Sequence, residues 1–169
     1  ETTIPSKVPL EYVKVLERTD GYGIVAGLKD NTETKDYYKF FTMVEGVDST
    51  YVSSFLGLVD DVVLGEEVTD IAVNSTFVSN FNTIERSQVS YEENDVVRVR
   101  FVTMDEKSFN YWSDYDDVTI LSTNPFFPVN KKIRSNISSG MGYWAGYGST
   151  YYRVSIADSL ALGRFVPLQ

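Results

Sequence analysis

A mainly β domain, an antiparallel β-sandwich or open β-barrel of about eight short strands, is the fold class this sequence predicts. Three observations carry it. Short segments alternate apolar and polar residues with period two. Turn signals separate most of them at hairpin spacing, without the helical crossovers that a parallel sheet needs. One helix, near residues 105–117, interrupts the pattern. The 169 residues suffice for one domain with a sizeable core. We place a linker at residues 1–9 and a single β-rich domain at 10–169.

The opening stretch is polar, carries Pro5 and Pro9, and reads as a linker that a leader and a further domain precede. Leu10–Leu16 and Tyr22–Lys29 then flank Asp20-Gly21 as a hairpin. Tyr22, Ile24, Ala26 and Leu28 share one face. A polar loop leads to Tyr37–Glu45, whose faces carry Tyr37, Phe41 and Met43 against Tyr38, Phe40 and Val44. Two apolar faces predict a central strand covered on both sides. Tyr51–Leu58 suits a strand or one helical turn. Val62–Leu64 is a short apolar run and Val68–Val73 a further strand. From Asn74 to Asn82 a polar loop carries Phe77 and Phe81. Asp95–Met104 is the cleanest strand, with Val97, Val99 and Phe101 on one face and Arg98 and Arg100 on the other.

Thr103-Met104-Asp105-Glu106 has the form of a capping box. Phe109 and Trp112 follow at helical spacing, and Asn124-Pro125 stops the helix. We expect Val97, Val99, Phe101, Phe40 and Trp112 to be buried together. In the last segment Trp144 opposes Tyr143 and Tyr147. Gly146, Gly148 and Ser149 form the expected turn, and Tyr152, Val154 and Ile156 share a face.

Composition narrows function. A hydrophobic fraction of 43% is too high for a disordered chain. A net charge of −9 repels phosphate backbones and anionic lipid surfaces, so nucleic acid is an unsuitable partner. With neither Cys nor His in the sequence, thiolate nucleophiles, Ser-His-Asp arrangements and His- or Cys-ligated zinc are excluded. Carboxylates, Lys and Tyr are left for any chemistry.

Two side-chain groups are candidates. Asp114, Asp116 and Asp117 place three carboxylates in four residues, a hard-oxygen set of the kind calcium takes, although no EF-hand spacing surrounds them. Their bland reading is a solvated helix end. Tyr143, Trp144, Tyr147 and Tyr151 form an aromatic platform suited to a glycan or peptide ligand. Their bland reading is core packing, since half of them must face inward. The glycines of this region do not make a dinucleotide fingerprint, because no helix follows. Nothing marks a pair of catalytic acids, and we assign no catalytic residue.

The last third carries more than periodicity. Asn124-Pro125-Phe126-Phe127, then Ser135-Asn136-Ile137, then Gly140-Met141-Gly142-Tyr143-Trp144 and Gly146-Tyr147 resemble the C-terminal signature of a family of Bacteroidetes outer-membrane lipoproteins, of the DUF4249 type and of unknown function. The upstream order is similar too, with Tyr37-Tyr38, Asp60-Asp61 with Gly65, and a strand before an aromatic helix. The resemblance implies a cell-surface or outer-membrane protein, touching the membrane only through a lipid anchor outside this chain. It also implies an accessory role beside a TonB-dependent receptor. The expectation is a non-enzymatic, extracytoplasmic domain that binds a ligand or partner protein. The alternatives are a carboxylate-based glycoside hydrolase and a structural spacer in a surface assembly. Within the signature, Phe126 or Phe127 is expected to plug the open end of the sandwich, Asn136 to hold a bend, and Trp144 to cover the plug.

Overall fold

A computed structural model describes residues 4–60, 67–74, 90–121, 131–139 and 142–162. Val62–Leu64, Phe77, Phe81 and Asn124–Pro128 lie outside the described residues.

Two antiparallel sheets face each other across one core. The hairpin of β1 (Tyr12–Arg18) and β2 (Gly21–Leu28) closes through Thr19-Asp20, in the register Arg18↔Gly21 to Tyr12↔Gly27. β3 (Tyr37–Val44) and β4 (Val52–Asp60) pair next, and β5 (Thr69–Val73) returns to β2. β6 (Val96–Met104) then lies on β3, and β7 (Gly148–Ser155) lies on β6. The sheet orders are β1-β2-β5 and β4-β3-β6-β7, seven strands among the described residues. The sandwich of the sequence reading is the observed architecture.

The core follows from the alternation. Val13, Ile24, Ala26, Leu28 and Val73 of the first sheet meet Tyr38, Phe40, Val97, Val99, Phe101, Tyr152 and Val154 of the second. β3 is central and covered on both faces, as its double aromatic pattern requires. Tyr37 and Phe41 turn away from the sandwich into a smaller cluster with Val102 and Met104.

That second cluster is roofed by α1 (Glu106–Leu121), four residues longer than the expected helix end at 117. Its cap differs from the expected one. Ser108 N–H donates to Asp105 Oδ1 at 2.7 Å and Phe109 N–H donates to the Asp105 carbonyl at 3.0 Å. Asp105 is therefore the N-cap. Thr103 cannot serve, because the ladder of β6 holds it opposite Tyr38 and Gly148. Trp112 also moves. It packs in the cluster under α1, not with Val97, Val99, Phe101 and Phe40, because a helix that roofs the outer face cannot reach the inner one.

The end of the chain brings two further corrections. Gly148 and Ser149, expected in a turn, open β7, which takes its partner from β6 rather than from a local hairpin. Ile156 begins a second helix, α2 (Ile156–Leu162), where the sequence reading saw continued strand. Ser155 Oγ accepts the N–H of Asp158 at 3.3 Å, a side-chain cap that ends the strand. The segment before β1 lies along β7. Leu10 N–H donates to the Tyr152 hydroxyl at 2.7 Å, and Val8 packs on the core. A Cβ on Gly148 would stand 2.6 Å from the Pro5 carbonyl oxygen, so only glycine fits that crossing.

Candidate functional site

The outer face of the four-stranded sheet is where the candidate residues gather, and the sequence of β6 divides it. Residues 98, 100, 102 and 104 point outward. Val102 and Met104 are buried under α1, whereas Arg98 and Arg100 lie beyond the helix. The change from Arg to Val and Met along one face marks the edge of the roof.

Under the roof the aromatics interlock. Phe109 lies 4.8 Å from Tyr37, and Trp112 meets Phe41 edge-on at 5.1 Å. Trp112 Nε1–H donates to the Tyr147 hydroxyl at 2.9 Å. Tyr143 stacks on Tyr111 of the helix at 4.5 Å. Tyr143 and Tyr147 thus fasten the segment before β7 to α1. Among these rings sits a charge. The Lys39 side chain is wholly buried, its Nζ 2.8 Å from Asp116 and 4.9 Å from the Trp112 ring centroid. Burial lowers the pKa of Lys39, and the Asp116 carboxylate opposes that shift.

The three aspartates proposed as hard-oxygen ligands serve different cations. Asp116 faces Lys39, while Asp114 and Asp117 share Lys131 on the far side. Asp114 is buried, with Lys131 and Arg134 each 2.9 Å from one of its oxygens. Neither contact has hydrogen-bond alignment, so the pairing is chiefly Coulombic. Among the described residues no three acidic side chains converge.

Beyond the roof the face is cationic and aromatic. Arg98 Nε lies 2.7 Å from Glu45, and Arg153 grips both oxygens of the same carboxylate at 3.0 and 3.1 Å. The two guanidinium groups hold the Glu45 carboxyl down at about 2. Arg100 donates through Nε and Nη2 to Ser149 Oγ at 3.2 and 3.1 Å. Its guanidinium carbon is 5.7 Å from the centroids of Phe41 and Tyr147 and 6.0 Å from that of Tyr151. Tyr151 is exposed, with the Tyr51 ring 6.0 Å away. The sequence reading found Tyr151 but passed over Arg100 and Tyr51. The alternation already turned Arg100 outward, but its place opposite Tyr151 was available only through the β6–β7 register.

Glu45 supplies a pH prediction. Its folded pKa lies below its unfolded value of 4.5, so its stabilising share is present above pH 4.5 and is lost as pH falls toward about 2. Urea denaturation across that window should show a shallower acid loss for Glu45→Gln than for the parent. Equal slopes would show that the two arginines do not hold this carboxylate in solution.

The signature region has a structural account of its own. Ser135 Oγ donates to the Gly142 carbonyl at 2.7 Å. Asn136 Nδ2 donates to the Trp144 carbonyl at 2.7 Å, and Trp144 N–H donates to Asn136 Oδ1 at 2.8 Å. Gly142 has φ +153°, and a Cβ there would meet Ile137 Cδ1 at 3.0 Å. Ser135, Asn136 and Ile137 therefore clasp the stretch from Gly142 to Trp144. Asn136 holds the bend as expected, but from an exposed position. Trp144 does not cover a buried plug, for it is 79% exposed. The plug it was expected to cover, Phe126 or Phe127, lies outside the described residues.

With this clasp in view the comparison with known families is informative. The description "Domain of unknown function (DUF4249)" matches residues 1–153. The chain belongs to the DUF4249 family. No curated protein and no solved structure matches it. The match covers β1 to β6 and α1 of this DUF4249 domain and ends within β7, before α2. Among the described residues, no helix of the DUF4249 domain is long and apolar enough to cross a membrane.

Proposed function

We propose that this domain is a non-enzymatic, extracytoplasmic binding module that engages a partner protein through Trp144, as an accessory of a TonB-dependent receptor at the outer membrane. The setting rests on the resemblance of the signature to lipoproteins of that kind. The binding role rests on one observation: an almost fully exposed indole whose backbone N–H and carbonyl are both fixed by Asn136.

Leaving an indole in water forgoes the burial that large aromatic side chains otherwise contribute. Fixing its backbone limits the ordering cost that a partner would otherwise bear on binding. Trp is among the residue types enriched at the energetic hot spots of protein interfaces. The carboxylate-hydrolase alternative draws no comparable support, because Glu45, Asp114, Asp116 and Asp117 each face a Lys or Arg.

Photo-crosslinking from position 144 in cells tests this reading, with the exposed turn residue Val47 as the control position. A discrete adduct from 144 and none from 47 is expected. Identical products from both positions, or none from 144, would remove the proposal. Two variants separate binding from folding. Trp144→Ala should leave the urea midpoint within about 0.5 kcal/mol of the parent. Asn136→Ala should cost about 0.5–1.5 kcal/mol, the net value of ordinary hydrogen bonds, and should weaken the adduct although the indole is retained.

A further inference from the structure

Arg100 differs from its neighbours on the open face. Arg98 and Arg153 both serve Glu45, whereas among the described residues Arg100 has Ser149 Oγ as its hydrogen-bond partner and no carboxylate. A guanidinium has five N–H donors in a rigid fork. Nε and one N–H of Nη2 are used on Ser149, which leaves the Nη1 side of the fork available. Ser149 fixes one edge of the group, and the rings of Phe41, Tyr147 and Tyr151 lie around it at 5.7–6.0 Å. A guanidinium so oriented and partly dehydrated is suited to an oxyanion taken bidentately.

The surroundings select the sign and the class of ligand. Among the described residues, Arg98, Arg100 and Arg153 have between them a single carboxylate in hydrogen-bond contact, Glu45, so this patch is locally cationic on a chain whose net charge is −9. Anions are therefore drawn here rather than elsewhere. The outer face presents side chains rather than backbone groups, and the segment from Pro5 to Leu10 already runs along the edge strand β7. What the face offers is flat rings beside a fork, with Tyr151 54% exposed and Tyr51 tilted 59° to it. Tyrosine faces suit the C–H face of a sugar ring.

We propose that this face binds an acidic glycan, with the carboxylate of a uronic-acid residue on Arg100 and its ring against Tyr151. The site is independent of Trp144 and of the partner reading built on it.

Calorimetric titration of the intact domain with trigalacturonate at low ionic strength is the test. Binding is expected, with affinity falling as salt rises. Arg100→Lys keeps the charge and loses the fork, and should weaken binding by about tenfold or more. Tyr151→Ala, at an exposed position, should weaken it comparably and decides the matter if Arg100→Lys does not fold. Maltotriose, neutral and of equal length, should not bind, and Trp144→Ala should leave the affinity unchanged. The proposal is overturned by no binding of trigalacturonate at about millimolar concentration. It is overturned equally by matching affinity for maltotriose, by indifference to both substitutions, or by tighter binding of tetraglutamate, which would make this an acidic-peptide surface.

Discussion

Replacing Phe101 with alanine is expected to lower the stability of the domain by about 3–5 kcal/mol, the range for emptying a large aromatic site in a core. Phe101 is buried at the centre of β6, stacked 5.3 Å from Tyr38 and 4.8 Å from Phe40. Its neighbours Val97 and Val99 are wholly buried and belong to the same strand, fixed by two ladders, so they cannot move to fill the space. The measurement is the urea midpoint at constant slope. A loss below about 1 kcal/mol would mean that the two sheets close over the void, contrary to the packing described here.

Asp116→Ala should cost a comparable amount, about 3–5 kcal/mol, because it leaves the Lys39 ammonium buried without its carboxylate. The loss should depend on pH. The folded pKa of Lys39 already lies below its unfolded value of 10.5. The burial penalty is thus fully present below the depressed pKa and is lifted as pH rises toward 10.5. Without Asp116 the pKa falls further and the window widens downward. As pH rises toward 10.5 the variant should therefore regain more stability than the parent, and begin to do so at lower pH. Adding Lys39→Met to Asp116→Ala should recover most of the loss, since a buried ion pair replaced by an apolar side chain is often neutral. If the double variant is no more stable than the single one, the cost comes from lost packing at residue 116.

Much of the fold was legible because its strands have unambiguous faces. Ile24, Ala26 and Leu28 could turn only one way, and the two apolar faces of Tyr37–Val44 demanded a cover on each side. What the alternation could not convey was which layer supplied the second cover. Trp112 was assigned to the sandwich core because its helical spacing reports a face of α1 and carries no information on which sheet surface that face meets. Thr103 looked like a cap because capping preferences are local, while the ladder that claims it joins residues 45 positions away. α2 carried a usable signal in Ser155-Ile156-Ala157-Asp158, a cap pattern overshadowed by the alternation of Tyr152, Val154 and Ile156. The site was legible in part. Tyrosines 143, 147 and 151 were found as a group, but the split between those under the roof and those beyond it depends on where α1 ends over β6. Arg100 was placed on the outward face but not taken as a site residue, because a charged residue on an alternating strand is the ordinary sign of a wet surface.

The strap from Pro5 to Leu10 along β7 has a consequence for the order in which the chain acquires structure. The contact between the Leu10 N–H and the Tyr152 hydroxyl closes a loop of 142 positions. The same strand supplies Tyr152 and Val154 to the core and completes the ladder on β6. A growing chain can pair β1 with β2 and β3 with β4 early, since those partners are close in sequence. The edge of β6 nevertheless stays unpaired, and the core lacks Tyr152 and Val154, until Gly148–Ser155 arrives, and the entropy of so long a closure falls on that last step. The domain is therefore one that waits: nearly its whole length must leave the ribosome before the core seals, and until then the unpaired edge of β6 is an adhesive surface that a chaperone would have reason to hold.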